Sequence, residues 1–399
     1  MRRETVAFTA ATAVALVHAL DDAYVHRGAG LGIGQHALAG LIAVAAAAAG
    51  MLAFPRLRPG LRAALAFSFG ALAIVNGTLH VVHAERHGAA GGDITGILAA
   101  AAGVGLVGLT IEILVRNRGT RRSRAVGYPA SLLVTLFVLG PIALGVVATH
   151  KWREPVGEPP SAAYRDVAFA ASDGLELRGW YRPTENGAAV LVVHGGSSDR
   201  KGSVAHAELL ARQGYGVLLY DARGRGESEG SENNYGWDWA KDIAGALAFL
   251  HAQEGVERIG ALGLSTGGDV LLEVAAERDD LAAVVVDGAA AASYEDWHRL
   301  RGAELGMVPG WVMFSTIRVL SGDPPGMALE DAVRRIDEPT LLISAGEADE
   351  RDANLRYDAA GGAQVEHWNL PEADHTRGIR QAPEAYERRV AGFFSAALR

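Results

Sequence analysis

A serine set between glycines, a histidine far downstream and a carboxylate between them are the residue types from which a nucleophile, its base and an orienting acid can be assembled. Residues 263–268 read G-L-S-T-G-G, the G-x-S-x-G pattern in which a strand turns sharply into a helix and lifts the serine hydroxyl clear of the sheet. The glycines allow strained backbone and close approach there. An apolar run at 259–264 precedes the motif and a helix-compatible segment near 267–278 follows, so Ser265 is the expected nucleophile. The plainer reading is a serine that only caps the helix. A hydroxyl needs a base, and His375, in L-P-E-A-D-H-T before the final helix, suits that role. His367 competes, but it lies inside the strand pattern 364–370, where the pleat fixes its direction. For the acid the expected residue is Asp349, at the end of P-T-L-L-I-S-A-G-E-A-D, with Glu347 and Asp287 as alternatives. Donors for an oxyanion are expected from the backbone N–H groups of Thr266, at a helix N-terminus, and of Gly196 in H-G-G-S, with Ser197 next.

Such groups must be held at strand ends. Residues 166–181 alternate apolar and polar around Asp173-Gly174, the signature of a β-hairpin. Continuous apolar runs follow at 188–194, 216–220, 259–264, 282–286 and 340–344, of the sort that strands covered on both faces require. Helix-compatible segments near 202–213, 238–253, 267–278 and 383–398 separate them. The alternation predicts an α/β domain with a mostly parallel sheet, whose ligands bind at the carboxyl ends of the strands.

Five motifs in order, H-G-G-S, D-A-R-G-R-G-E-S at 221–228, G-L-S-T-G-G, G-E-A-D at 346–349 and D-H-T at 374–376, resemble the α/β-hydrolase superfamily over about residues 164–399. With D-G-L-E-L-R-G-W-Y at 173–181 they are similar to its membrane-anchored esterase, thioesterase and lipase-like branch. The resemblance implies a serine hydrolase of carboxylic esters or thioesters, working through an acyl-enzyme and needing no cofactor. It also implies that Asp221 and Arg223 are structural. An amidase or peptidase with the same triad is the nearest alternative. The segment 289–331 is longer than a plain connection and is expected to form a small lid, on which Trp297, Met307, Trp311, Met313 and Phe314 line an acyl pocket or simply pack the lid down. The implied partner is a small-molecule or lipid-like acyl substrate.

The first 150 residues are different. They are rich in Ala, Gly, Leu and Val and carry a net +6, whereas the remainder carries −15. An acidic domain excludes nucleic-acid binding as its business, because phosphate contacts need clustered Lys and Arg. With no cysteine, there is neither a disulfide nor a thiolate metal site. Apolar segments near 5–24, 36–54, 62–83, 94–115 and 128–149 predict an all-α bundle of about five transmembrane helices, joined by a Pro-rich linker at 151–163 to the hydrolase domain at 164–399. Arg2 and Arg3 before the first segment also suit a cleaved signal peptide. Ten arginines fall on one side of this arrangement and only Arg27 and Arg86 on the other. The N-terminus is therefore expected in the cytoplasm and the hydrolase domain outside it.

Seven histidines lie in this module, including His26, His36 and His150. His18, Asp21 and Asp22 share one helix face, and His80, His83 and His87 another. Such sets can ligate zinc or another transition metal, or can simply mark where helices leave the lipid. A non-catalytic membrane sensor or transport-linked module working through this His-rich face is the alternative of another class.

Overall fold

The computed structural model describes residues 2–25, 37–87, 91–116, 133–149, 151, 153–231, 233–302 and 307–398. Along the chain the helices are α1 (Arg2–Leu20), α2 (Ala37–Ala53), α3 (Pro59–His87), α4 (Gly91–Arg116) and α5 (Gly140–Thr149). Then come β1 (Arg165–Ala170), β2 (Glu176–Arg182), β3 (Ala188–Val193), α6 (Val204–Ala211), β4 (Gly216–Tyr220), α7 (Ala240–His251), β5 (Arg258–Leu264), α8 (Thr266–Ala275) and β6 (Ala283–Asp287). The chain ends with α9 (Tyr294–Arg301), α10 (Met307–Ser321), α11 (Leu329–Val333), β7 (Thr340–Ser344), α12 (Ala348–Ala360), β8 (Val365–Asn369), α13 (Gly378–Gln381) and α14 (Pro383–Ala397). Two compact units result, one of Met1–His150 with Leu305–Gly322 and one of Lys151–Glu304 with Asp323–Arg399.

In the helical unit, glycines set the approach of α3 to α4. A Cβ on Gly77 would lie 2.4 Å from the carbonyl oxygen of Gly96, and one on Gly70 would lie 2.9 Å from that of Gly103. Both pairs recur at seven-residue spacing, so small residues line one seam and the backbones meet. Phe8 stacks on Phe54 with ring centroids 4.1 Å apart, inside a cluster with Ala63, Ala66, Leu106, Leu109 and Ile113. A buried Arg62–Glu4 pair at 2.6 Å joins α3 to α1. Among the described residues, two helices, within Pro59–Val82 and Gly91–Arg116, are long and apolar enough to cross a membrane; α2 and the segment 136–149 are apolar but shorter. The five expected spans thus reduce to two that meet the criterion by length and composition.

The expected lid is corrected. Helix α10, which carries Met307, Trp311, Met313 and Phe314, belongs to the helical unit. There it packs on α5, where Gly145 leaves room: a Cβ on it would lie 2.8 Å from Thr316 Cβ and 3.0 Å from the Met313 carbonyl. Phe314 is buried, while Trp311 is 57% exposed. An apolar run that suits a pocket wall suits a helix–helix seam equally well, and here the seam won.

In the second unit eight strands form one sheet in the order β1-β2-β4-β3-β5-β6-β7-β8. β2 runs antiparallel to both neighbours and the remaining pairs are parallel. The expected hairpin is β1–β2, with Ala170 opposite Glu176 and Gly174 at φ 89° in its turn. β3, β4, β6 and β7 are buried at every residue, because helices cover both faces. Ile243, Leu247, Leu271 and Leu272 of α7 and α8 pack one face, and Leu209, Leu210, Tyr386, Val390 and Phe394 of α6 and α14 pack the other. The Pro-rich segment is not a free spacer. Val156 is buried in the second core, Arg153 donates to the Ser228 and Gly230 carbonyls, and Lys201 donates to the Pro155 carbonyl.

Candidate active site

β5 delivers Ser265 to the carboxyl edge of the sheet. Its backbone is held at φ 50°, ψ −125°, a left-handed strain that a non-glycine residue keeps only where its surroundings enforce it. Three bonds do so here. The Ser265 N–H donates to the Asp287 carbonyl at 2.8 Å, and the Ser265 carbonyl accepts from Gly268 and Asp269. The turn also needs its glycines. A Cβ on Gly263 would lie 2.5 Å from Gly268 Cα, and one on Gly267 would lie 2.4 Å from the His194 carbonyl.

His375 sits in the loop after β8, and its Nε2 lies 2.9 Å from Ser265 Oγ. Its Nδ1 lies 2.6 Å from Glu350 Oε2. That carboxylate fixes the tautomer: Nδ1 carries the proton, and Nε2 accepts from the serine hydroxyl. Gly288, at φ 85°, makes space for the ring, since a Cβ there would lie 2.7 Å from His375 Cε1. The hydrogen bond to Glu350 outweighs burial and raises the His375 pKa above its ordinary 6.5.

The acid is therefore corrected from Asp349 to Glu350. α12 begins at Ala348, so consecutive side chains diverge by about 100° around the helix. Asp349 turns to solvent, 83% exposed and paired with Arg301. Glu350 turns inward, 5% exposed, and its Oε1 accepts the Ala345 N–H at 2.6 Å. The signal was present in A-D-E-R-D-A-N-L-R, which is helix-compatible from its start. Glu347 is the N-cap residue of α12. Asp287 lies under the site instead, accepting from Tyr386 Oη at 2.8 Å, and burial pushes its carboxyl up to about 7.

The loop after β3 lies against the elbow. A Cβ on Gly195 would be 3.5 Å from Ser265 Cβ, and one on Gly196 would be 2.7 Å from Thr266 Oγ1. Arg225 Nε donates to the Gly196 carbonyl at 3.1 Å, which fixes that peptide. His194 is buried, with its pKa lowered by burial to about 4, and its Nε2 accepts the Ala222 N–H at 3.0 Å. It is a neutral strut. His367 Nε2 meets Ser344 Oγ at 2.7 Å, away from Ser265. Asp221 binds Arg200, and Arg223 binds Asp173, Asp238 and Asp242; both brace the loop after β4. Trp297 stays in this unit on α9, with the Arg301 guanidinium 4.6 Å from its ring. A polar cavity of about 270 Å³ opens beside the glycine loop, lined by Ser197, Asp199, Lys201 and Arg225 among others.

A strained serine at a strand-to-helix turn, a strand-end histidine and this strand order define the α/β-hydrolase fold. The chain matches the family model described as serine aminopeptidase, S33, over residues 184–323. An uncharacterized protein of Mycobacterium tuberculosis (strain CDC 1551 / Oshkosh) is 33% identical over 171 residues, 38% of this chain and 60% of that protein. A thiohydrolase of Aspergillus aculeatus is 37% identical over 111 residues, 26% of this chain and 35% of that protein. The chain thus spans about a third to three-fifths of the length of these curated relatives. An esterase of Pyrococcus furiosus superposes with a TM-score of 0.52 at 22% identity, covering 63% of this chain and 98% of that one. The second unit has the α/β-hydrolase fold, and residues 184–323 within the chain match that family model. Hydrolysis by that fold needs no cofactor.

Proposed function

We propose that the protein is a membrane-anchored serine hydrolase that cleaves carboxylic esters or thioesters of lipid-like acyl substrates. The observation that carries this reading is the continuous chain from Ser265 Oγ through His375 to Glu350, at 2.9 and 2.6 Å, with the serine on a strained elbow. Ser265 Oγ attacks the acyl carbon as His375 Nε2 takes its proton, and Glu350 stabilises the imidazolium. The N–H groups of Thr266 and Gly196 hold the oxyanion. His375 then gives the proton to the leaving alcohol or thiol. Water, activated by the same imidazole, releases the acid from Ser265.

Anchoring is supported by the two long apolar helices and by where apolar surface lies. Among the described residues, every large exposed hydrophobic side chain except Leu355 is in the helical unit. Lipid is the solvent that such a surface suits. α1, α2 and the helix around α5 supply three further crossings, with the N-terminus in the cytoplasm.

The aminopeptidase description of the matching family model favours one second reading, amide cleavage with the same triad. A fluorophosphonate probe tests the nucleophile: the parent labels, and Ser265→Ala does not. Equal labelling, or none in the parent, ends the hydrolase reading. A matched series of ester, thioester and aminoacyl amide then decides between the two leaving groups, with esters or thioesters expected to turn over fastest.

A further inference from the structure

His18, Asp21, Asp22, His80 and Asp93 of the helical unit gather at one place that hydrolysis does not use. His18 lies in the last turn of α1, Asp22 is four residues on, and His80 comes from α3. Their ligand atoms lie within 4.8 Å of one another. Asp22 Oδ2 is 3.5 Å from His18 Nε2 and 3.4 Å from His80 Nε2. In a tetrahedral site with bonds of about 2.0–2.1 Å, neighbouring ligand atoms stand roughly 3.3–3.4 Å apart. The two histidines are 1% and 3% exposed.

A second layer orients both rings. His80 Nδ1 is 3.2 Å from Asp93 Oδ1, and Asp93 is itself 2% exposed. His18 Nδ1 is 3.2 Å from Thr95 Oγ1, whose hydroxyl donates to Asp21 Oδ2 at 2.6 Å. With Nδ1 as the protonated nitrogen of each ring, its hydrogen has an outer acceptor, and both Nε2 atoms lie within 3.5 Å of the Asp22 carboxylate. A histidine that ligates a metal is held in this way. The backbone is cut to fit. A Cβ on Gly96 would lie 2.3 Å from His80 Cγ, so only glycine on α4 admits this ring. Asp21, Asp22 and Asp93 also place three carboxyl groups around the two imidazoles, negative charge in a region of low dielectric that a cation would offset.

We propose that His18 Nε2, Asp22 Oδ2 and His80 Nε2 form a binding site for a divalent transition metal, zinc by ligand type. Asp93, Thr95 and Asp21 act as its orienting layer. The fourth position falls to a water or to the Asn76 amide, which lies 3.0 Å from His18 Nε2 and offers oxygen if its amide is turned. Neither His83 nor His87 enters the argument, since their side chains lie outside the described set, as do His26, His36 and His150. The site is independent of Ser265.

The test uses the full chain in detergent, purified without chelator, analysed for metal, then stripped and titrated with zinc and with cobalt(II). The expected result is one equivalent bound, with the intense visible absorption of tetrahedral cobalt appearing in the parent protein itself. His18→Ala and His80→Ala lose stoichiometric binding. Asp93→Asn keeps the ring's neighbour and weakens affinity roughly 10- to 100-fold, read on protein with unchanged helicity and elution. If the parent binds neither metal stoichiometrically, the cluster is a proton-linked ion pair and the proposal is overturned. It is equally overturned if folded His80→Ala or Asp93→Asn binds as the parent does.

Discussion

At the scale of single residues, the difference between Asp349 and Glu350 separates an exposed ion pair from the carboxylate bonded to His375, the group proposed to orient the base. Glu350→Gln keeps the side-chain shape but removes the charge on His375 Nδ1, and kcat is expected to fall by roughly 10³–10⁴, as when the acid of a serine triad is neutralised. Asp349→Asn loses only the exposed pair with Arg301, so kcat should stay within about twofold. Steady-state kinetics on both variants decides the assignment, and the reverse pattern would restore Asp349.

The same contact sets a pH dependence. His375 acts as a base only when neutral, and its hydrogen bond to Glu350 raises its pKa above 6.5. The acid limb of kcat/KM therefore lies above pH 6.5, with the rate rising through it. In Glu350→Gln the limb moves to lower pH while the maximum falls. For stability the sign is opposite. The raised pKa means the protonated pair stabilises the fold fully below the unfolded value of 6.5 and loses that contribution as pH rises through the folded value. A kcat/KM profile whose limb does not move in the variant counts against Glu350 as the partner.

At the scale of elements, what was legible in the sequence followed from burial. β3, β4, β5, β6 and β7 are covered on both faces and read as unbroken apolar runs, so their positions, and with them Ser265 and the loop carrying His375, could be placed from residue types alone. α12 was not, because it is a polar helix with four acidic residues among its first eleven and begins inside the G-E-A-D segment, which reads as a turn. Missing its start at Ala348 misplaced the acid by one residue. α10 was misplaced for the contrary reason, since an apolar segment states that it is buried or in lipid but not against what.

That reassignment carries its own prediction. Val308 and Trp311, three residues apart on α10, are 54% and 57% exposed and share a face. An exposed Trp on a short apolar helix is the side chain that settles at a membrane interface. Trp311→Ala should leave turnover of a soluble short-chain ester unchanged, while turnover of an ester presented in vesicles drops several-fold. Equal loss on both substrates would return Trp311 to the pocket wall expected of a lid.

At the scale of the whole molecule, topology is constrained by the insertion as well as by charge. The chain on both sides of α10 belongs to the hydrolase unit, so α10 must enter and leave any bilayer on the same side. It therefore adds no crossing, and the side on which the hydrolase works is set by the helices before residue 150. On the proposed topology Arg2 and Arg3, then Arg56, Arg58 and Arg62, then the arginines from Arg116 to Arg124 fall on one side and only Arg27 and Arg86 on the other. An odd number of crossings from a cytoplasmic N-terminus puts Ser265 outside. Alkaline phosphatase fused after Pro160 should then be active in cells and a green fluorescent reporter at the same point dark, with the opposite pair of results for fusions after Arg58. Were the chain to cross only by α3 and α4, the two fusion points would report the same side. The paired measurement therefore decides whether an odd or an even number of crossings separates the two points, and in which compartment Ser265 lies.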